Sequence, residues 1–221
     1  MAYRQKFENC FSESETATDW VYTAFSKGLA RTEGIASSLQ MLKDQGRLPI
    51  LTLPEETEDL KELQELAAAY REAFDSIVVV GIGGSSLGAQ VLVSLRDMGD
   101  LKPSLHFWDT LDYHVMAPHL AGGNLEKTLF LLVSKSGSTP EILAQSLLVI
   151  EALDKMGGKA AVSRQTLAIC EPTDNALGRM ADKWNIKRLA HDPNVGGRYS
   201  CLSLVGALPA LIAGIDMAAV R

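Results

Sequence analysis

The sequence predicts an α/β protein in which a five-stranded, doubly wound parallel sheet lies between two layers of helices and follows a helical extension. Short apolar runs recur from residue 76 onward, and helical segments separate them. No strand pattern precedes residue 76. Since strands that alternate with helices form parallel sheets with right-handed crossovers, three layers are expected. The domains are predicted to span residues 1–75 and 76–221.

The first 75 residues are expected to form the helical extension. Apolar residues recur at helical spacing from Trp20 to Leu42, and residues 51–54 interrupt this pattern. An acidic helix follows, with apolar residues on one face at Leu60, Leu63, Leu66 and Tyr70. Its glutamates are interpreted as a solvated face near the positive helix end.

The remaining residues supply the strands and the helices between them. Strands are predicted at residues 77–80, 105–108, 129–133, 167–170 and, more weakly, 186–190. Their nearly uninterrupted apolar character is typical of strands that are buried on both faces. Helices are predicted at residues 87–95, 141–153 and 177–184, and a buried helix is predicted within residues 202–215.

Composition and charge argue against several classes of protein. The 221 residues are 47% hydrophobic and 22% charged, with a net charge of −6, which disfavours nucleic acid and anionic membranes as partners. Residues 1–10 do not resemble a signal peptide. The most apolar stretch, residues 202–215, is shorter than the roughly 20 residues that span a bilayer. Because Cys10, Cys170 and Cys201 form no CxxC pair, a cytoplasmic location is expected.

A glycine loop, Gly-Ile-Gly-Gly-Ser-Ser-Leu-Gly at residues 81–88, follows the first predicted strand. Glycines let the backbone turn sharply and let a bulky group approach its N–H groups. The helix that follows adds free N–H groups and a positive dipole end. The loop is therefore interpreted as an anion site, and a phosphate-bearing ligand is expected there.

The same loop allows other interpretations. A dinucleotide site would use Asp109 for the ribose, although Ser86 stands where the third glycine of that fingerprint belongs. The pattern Gly84-x-Ser86-x-Gly88 also fits the nucleophile elbow of a serine hydrolase, with Asp174 and His191 following in the expected order. A tight turn that only packs a helix onto the sheet is a third alternative. A P-loop is excluded because no Gly-Lys-Ser/Thr follows.

A hydroxyl loop, Ser-Lys-Ser-Gly-Ser-Thr-Pro-Glu at residues 134–141, follows the third predicted strand. Part of this pattern is explained by helix capping, either as a Ser138-x-x-Glu141 capping box or as Thr139 before a proline at the first helical position. Capping needs one hydroxyl, whereas this loop has four. Hydroxyls and free helix N–H groups together match the acceptor oxygens of a phosphate.

An arginine segment, Asp-Pro-Asn-Val-Gly-Gly-Arg-Tyr-Ser at residues 192–200, precedes the last apolar helix. Its two glycines would let the backbone approach a ligand, while Arg198 offers a permanent charge suited to a developing oxyanion. Pairing of this arginine with a surface carboxylate is the alternative. None of the four histidines shows the spacing of metal ligands, so neither a metal nor a cofactor is expected.

Together, the three segments resemble the glucose-6-phosphate isomerase (phosphoglucose isomerase) family. The third resemblance is the most restrictive and runs over residues 195–206, Val-Gly-Gly-Arg-Tyr-Ser-Cys-Leu-Ser-Leu-Val-Gly. The resemblance implies a flavodoxin-like sugar isomerase (SIS) domain that binds a hexose 6-phosphate and serves glycolysis and gluconeogenesis. Ala89 and Ile142 depart from common residues of the motifs, at peripheral positions.

The resemblance also implies roles for individual residues. Gly84 and Ser85 would line the sugar pocket, and Gly197 would lie with Arg198 at the reacting end of the sugar. Arg198 would stabilise the negative charge of an enediol-like intermediate. The phosphate would be held by residues of the hydroxyl loop, namely Ser134, Lys135, Ser136, Ser138 and Thr139.

In this family a second SIS domain supplies the proton-shuttling glutamate and the ring-opening residues, and no matching motifs occur here. The chain is therefore expected to be the N-terminal phosphosugar-binding part of an enzyme that is a homodimer at full length. The alternatives are a non-catalytic SIS regulator that binds a sugar phosphate and a serine hydrolase that uses Ser86.

Overall fold

A computed structural model of the protein describes residues 18–96, 102–121 and 124–221, with side chains from residue 23 onward. The chain divides between Leu48 and Pro49 into two compact units. Residues 1–10, which include Cys10 and are expected not to form a signal peptide, lie outside the described residues.

The first unit contains two helices, α1 (Thr18–Arg31) and α2 (Glu33–Asp44), as the helical spacing predicts. Their apolar side chains remain accessible: Ile35 is 50% exposed and Leu39 is 43% exposed. No residue of α2 is buried. The helical spacing of apolar residues therefore predicts these two helices correctly, although these apolar residues are not buried in a core.

The second unit is built on a five-stranded parallel sheet, which confirms the predicted fold class. The strand order is β2-β1-β3-β4-β5, the flavodoxin-like order. The strands are β1 (Ser76–Val80), β2 (Ser104–Trp108), β3 (Thr128–Val133), β4 (Thr166–Cys170) and β5 (Lys187–Ala190).

Helices cover both faces of this sheet, so the three-layer prediction is also confirmed. The helices of this unit are α3 (Glu58–Ala73), α4 (Leu87–Val93), α5 (Tyr113–Ala121), α6 (Pro140–Gln165), α7 (Ala176–Trp184), α8 (Leu204–Ile212) and α9 (Met217–Val220). Buried residues of α3, α4, α8 and α9 pack on one face with Ile77 and Val79. Buried residues of α5, α6 and α7 pack on the other face with Val78 and Val80.

Helix α3 belongs to the sheet unit. Its residues Leu60, Leu63 and Ala67 are buried in the core that contains α8. The boundary between the compact units therefore lies before α3, because the apolar face of this helix covers the sheet.

Burial differs between the central and edge strands. Every residue of β1, β3 and β4 is buried, as expected for strands covered on both faces. In β2, Trp108 is the one buried residue, and β5 has none. The prediction that residues 105–108 are buried on both faces is wrong because β2 lies at a sheet edge.

The connections of the sheet reverse direction between two neighbouring strands. Strands β1 and β3 are neighbours, yet the helix after β1 (α4) packs on one face and the helix after β3 (α6) packs on the other. In doubly wound sheets, ligands bind where connections diverge in this way, outside the carboxyl ends of the strands. The glycine loop and the hydroxyl loop flank this position.

Candidate functional site

The three predicted segments lie at the carboxyl end of the sheet. The glycine loop follows β1, the hydroxyl loop follows β3, and the arginine segment follows β5. Two contacts join the arginine segment to the other two loops, although β3 and β4 separate β5 from β1 in the sheet.

The first contact joins the backbones of the glycine loop and the arginine segment. A Cβ atom on Gly84 would lie 2.3 Å from the carbonyl oxygen of Gly197 and 3.0 Å from the amide nitrogen of Arg198. The Ser200 hydroxyl shares its single hydrogen between two carbonyl oxygens, that of Gly84 at 3.0 Å and that of Gly197 at 2.7 Å. The close approach that Gly84 permits is therefore an approach to the protein's own backbone.

The other glycines of the loop differ in their surroundings. A Cβ on Gly81 would lie 2.6 Å from the carbonyl oxygen of Ser85, and one on Gly88 would lie 2.9 Å from the Cα of Cys201, so both pack against protein. Gly83 has a φ of +58°, the left-handed conformation that favours glycine, and its Cα faces open space. Ser85 closes a short 3₁₀ turn and is half-buried. Because Gly84 holds Gly197, the predicted lining residues Gly84, Ser85, Gly197 and Arg198 lie together.

The hydroxyl loop leaves the start of α6 without a side-chain cap. Thr139 is the N-cap residue and Pro140 is the first helical residue, but no side-chain oxygen accepts from the first helical N–H groups. Thr139 Oγ1 instead lies 3.0 Å from the hydroxyl of Ser134. The Ser138-x-x-Glu141 capping box is therefore wrong, because the helix begins one residue later than it requires.

The hydroxyls of this loop differ in exposure. Ser134 is buried, Thr139 is half-buried, and Ser136 and Ser138 are exposed. Within the exposed part, the Ser136 hydroxyl accepts from the Ser138 amide at 3.3 Å, and the Ser138 hydroxyl donates to the Ser136 carbonyl at 3.3 Å. The uncapped helix start therefore lies beside hydroxyls that solvent or a ligand can reach.

Lys135 forms the second contact with the arginine segment. Its ammonium group donates to the carbonyl oxygen of Pro193 at 2.8 Å and lies 3.5 Å from a carboxylate oxygen of Glu171. This lysine therefore ties the hydroxyl loop to the chain that leads to Arg198. Its predicted contact with a phosphate stays a prediction.

Arg198 lies on a 3₁₀ helix, Gly197–Leu202, and is exposed. Within residues 18–96, 102–121 and 124–221, no hydrogen bond or ion pair engages its guanidinium group. The surface pairing that was the alternative for this arginine is absent from this part of the chain. The guanidinium group can therefore donate to a ligand oxygen without losing a protein partner.

Asn175 supports the hydroxyl loop and was not identified from the sequence. Its side-chain oxygen accepts from the Gly178 amide at 2.8 Å and caps α7, while its amide group donates to the carbonyl of Glu171 at 3.0 Å. That oxygen would lie 1.9 Å from a Cβ on Gly137, whose φ is +60°. An asparagine just before the predicted helix at 177–184 was the available signal.

The structure does not form the hydrolase triad. The Ser86 hydroxyl is buried and accepts from Gln90 Nε2 at 2.6 Å. Gln90 Nε2 also lies 3.2 Å from the Asp109 carboxylate, the proposed ribose ligand. Among the described residues, no hydrogen bond joins Ser86 to His191, whose Nδ1 instead donates to the Asp192 carbonyl at 2.8 Å. The hypothesis that Ser86 is a nucleophile is therefore wrong.

Side chains that could ligate a metal are not clustered in the part of the chain that the structure describes. No three His, Cys, Asp or Glu side chains of the described ranges are grouped so that they could hold a metal ion. Cys170 and Cys201 are free thiols. The helices of the described ranges include none that is both long and apolar enough to span a membrane.

Comparison with known proteins identifies relatives of the whole sheet unit. The sequence model of the phosphoglucose isomerase family matches residues 59–219. The glucose-6-phosphate isomerase of Carboxydothermus hydrogenoformans is 36% identical over 190 residues, which cover 81% of this chain and 41% of that protein. That of Rubrobacter xylanophilus is 36% identical over 179 residues, which cover 76% of this chain and 41% of that protein.

Solved structures give the same result. A hypothetical protein from Thermus thermophilus, TT0462, superimposes with a TM-score of 0.76 at 30% identity, covering 89% of this chain and 48% of that one. A glucose-6-phosphate isomerase from Chlamydia trachomatis superimposes with a TM-score of 0.61 at 28% identity, covering 71% of this chain and 29% of that one. The chain thus spans about two fifths of the length of the curated relatives it matches.

Proposed function

Because the chain belongs to the phosphoglucose isomerase family, we propose that it forms the sugar-phosphate-binding part of a glucose-6-phosphate isomerase. Such an enzyme interconverts glucose 6-phosphate and fructose 6-phosphate. The observation that carries the proposal is the uncapped start of α6 with its four hydroxyls, which lies at the same sheet end as the exposed Arg198.

The hydroxyl loop is proposed to bind the phosphate group. The free N–H groups at the start of α6 and the positive end of its dipole favour an anion there. The hydroxyls of Ser136, Ser138 and Thr139 can rotate to donate to phosphate oxygens. Ser134 is buried beside Thr139 and is proposed to complete this set of hydroxyls from the inner side of the loop. Lys135 adds a positive charge nearby while it holds Pro193.

The glycine loop and the arginine segment are proposed to bind the reacting end of the sugar. Isomerisation opens the ring and moves a proton between C1 and C2, which leaves negative charge on an enediolate oxygen. Arg198 can donate to that oxygen because its guanidinium group is exposed and permanently charged. We assign the general base to the part of the relatives' length that lies outside this chain.

Calorimetric titration of the chain with glucose 6-phosphate tests the proposed phosphate site. The double variant Ser136→Ala/Thr139→Ala should bind at least about tenfold more weakly, because it loses two donors to a charged acceptor. Ser146→Ala is the matched control, since this buried hydroxyl of α6 has no hydrogen-bond partner. An absence of binding by the unaltered chain, or unchanged binding by the double variant, would contradict the proposal.

A coupled isomerase assay tests the assignment of the base. The chain alone should show almost no turnover, because it binds the substrate without the group that moves the proton. Robust turnover by the purified chain would place a base within these residues. Binding without turnover by the longest natural reading frame would instead favour a non-catalytic sugar-phosphate regulator.

The proposal extends to location and assembly. A cytoplasmic protein fits the free thiols of Cys170 and Cys201 and a sugar-phosphate substrate. A homodimer is proposed for the full-length enzyme, which sedimentation of that protein would test.

A further inference from the structure

We infer that Arg221 is a positioning residue that fixes the 3₁₀ helix carrying Arg198. The inference rests on the proposed function, because it assigns Arg221 a role in placing the group that would stabilise the enediolate. Arg221 lies outside the three motifs, and within the described ranges its side chain forms no hydrogen bond or ion pair with a predicted site residue.

The guanidinium group of Arg221 is enclosed and fully used. Its side chain is 1% exposed, and it forms a bidentate pair with Asp59, at 2.6 and 2.9 Å. Nη1 also donates to the Glu56 carbonyl at 2.8 Å. Nε and Nη2 both donate to the Leu202 carbonyl, at 3.0 and 2.7 Å. This side chain thus joins the end of α9 to the start of α3 and to the end of the 3₁₀ helix.

Leu202 is the last residue of the 3₁₀ helix that begins at Gly197. Helices of this type have poor hydrogen-bond geometry, and runs longer than three or four residues are uncommon, so a six-residue example depends on tertiary contacts. Such contacts include the hydrogen bond from Ser200 to Gly84, the contact of Cys201 with Gly88, and the hydrogen bonds from Arg221 to Leu202. Arg198 lies in the same short helix, between its fixed ends.

The acidic partner of Arg221 lies on a helix that is packed on the sheet. Asp59 lies in the first turn of α3, and the next residue, Leu60, is buried in the core together with Leu63. Arg221 therefore connects the 3₁₀ helix to α3, which is packed on the sheet. Lysine cannot reproduce this arrangement, because an ammonium group lacks the planar, forked donors that serve a carboxylate and a carbonyl together.

Arg221→Lys tests the inference, with Val162→Ala as the control for general destabilisation. Val162 is fully buried on α6, on the opposite face of the sheet. Hydrogen exchange measured by mass spectrometry should show faster exchange of the amides in residues 197–203 in Arg221→Lys. In Val162→Ala, exchange of these amides should not increase more than exchange in the rest of the sheet unit.

The affinity for a hydroxamate analogue of the enediolate gives the functional readout. Arg221→Lys should bind it about tenfold more weakly, since a misplaced donor loses much of its effect. Its affinity for inorganic phosphate should change less than about twofold, because the hydroxyl loop does not contact Arg221. In an Arg198→Met background, Arg221→Lys should cause little further loss, which is the result expected if Arg221 acts through Arg198.

Each outcome decides between two distinct failures. If the unaltered chain bound neither the analogue nor phosphate, the proposed function would fail and this inference with it. If the unaltered chain bound the analogue and Arg221→Lys bound it equally well, or if exchange in residues 197–203 were unchanged, only the inference would be overturned. Equal losses for the analogue and for phosphate would likewise indicate a purely structural role.

Discussion

The glycine loop and the hydroxyl loop follow neighbouring strands at the same end of the sheet, yet they make different contacts. Gly84 of the glycine loop lies against the backbone of Gly197, so the space that a side chain would fill is occupied by protein. The hydroxyl loop leaves the start of α6 uncapped and its hydroxyls partly exposed. A glycine-rich motif can therefore assemble a site, while the loop beside it supplies the groups that contact the ligand.

The largest expected effect comes from Gly84→Ala. The new Cβ would lie 2.3 Å from a carbonyl oxygen and 2.4 Å from the carbonyl carbon of Gly197. Because these are backbone atoms, the two segments must separate, and the free energy of unfolding should fall by about 3 kcal/mol. Chemical denaturation measures this loss, and binding of glucose 6-phosphate should weaken with it.

Gly197→Ala is the matched control for Gly84→Ala. A Cβ on Gly197 would meet no atom within 4 Å, so its stability should change by less than about 1 kcal/mol. Equal losses in the two variants would show that the contact between Gly84 and Gly197 is not what limits stability.

Asn175→Ala should have the next largest effect, on the hydroxyl-loop side of the comparison. It removes the N-cap of α7 and the amide that donates to the carbonyls of Glu171 and Thr173. The loss should be about 2 kcal/mol, from a cap of about 1 kcal/mol and hydrogen bonds of similar worth. Thermal and chemical denaturation would measure it.

Asn175→Asp separates the two contributions. It keeps the oxygen that accepts from Gly178 but loses both amide donors. Its stability should lie between those of the original chain and Asn175→Ala. A variant as stable as the original chain would show that the amide donors contribute nothing.

Lys135→Met tests whether Lys135 stabilises the contact with the arginine segment or binds the phosphate of the ligand directly. Because the ammonium group already contacts Pro193 and Glu171, we expect a loss of about 1 kcal/mol in stability. The affinity for glucose 6-phosphate should fall by no more than about threefold. A loss of tenfold or more in affinity with unchanged stability would identify Lys135 as a direct phosphate ligand.

These contacts show what the sequence could and could not predict. The strands and the loops after them follow from local patterns, since alternating apolar runs and helices specify a parallel sheet. The apolar run at residues 105–108 looks like a central strand, however, and its edge position depends on pairing with β1 alone. The partner of Lys135 is a backbone carbonyl, which no residue type marks. Arg221 was missed for the same reason, because two of its acceptors are carbonyls.

The smallest expected effect concerns pH and His191, which lies where β5 leads into the arginine segment. Burial lowers the pKa of this imidazole below its ordinary value of 6.5, and the positive charge of Lys135 contributes in the same direction. The unfolded chain therefore binds a proton near pH 6.5 that the folded chain binds only at lower pH. Stability from this group is fully present above pH 6.5 and is lost as the pH falls toward the folded-state pKa.

His191→Gln should therefore flatten the pH dependence of stability below pH 6.5, as measured by denaturation at a series of pH values. His114→Gln, at an exposed position on α5, is the control and should follow the original chain. The charged groups near His191 are Lys135, Glu171 and Asp192. Lys135→Met should raise the folded-state pKa of His191, so the loss of stability should end at a higher pH than in the original chain. An unchanged slope in His191→Gln would show that protonation of this residue does not couple the arginine segment to folding. A flatter slope of stability against pH would show that the arginine segment, which packs against Gly84 of the glycine loop, responds to protonation as well as to packing.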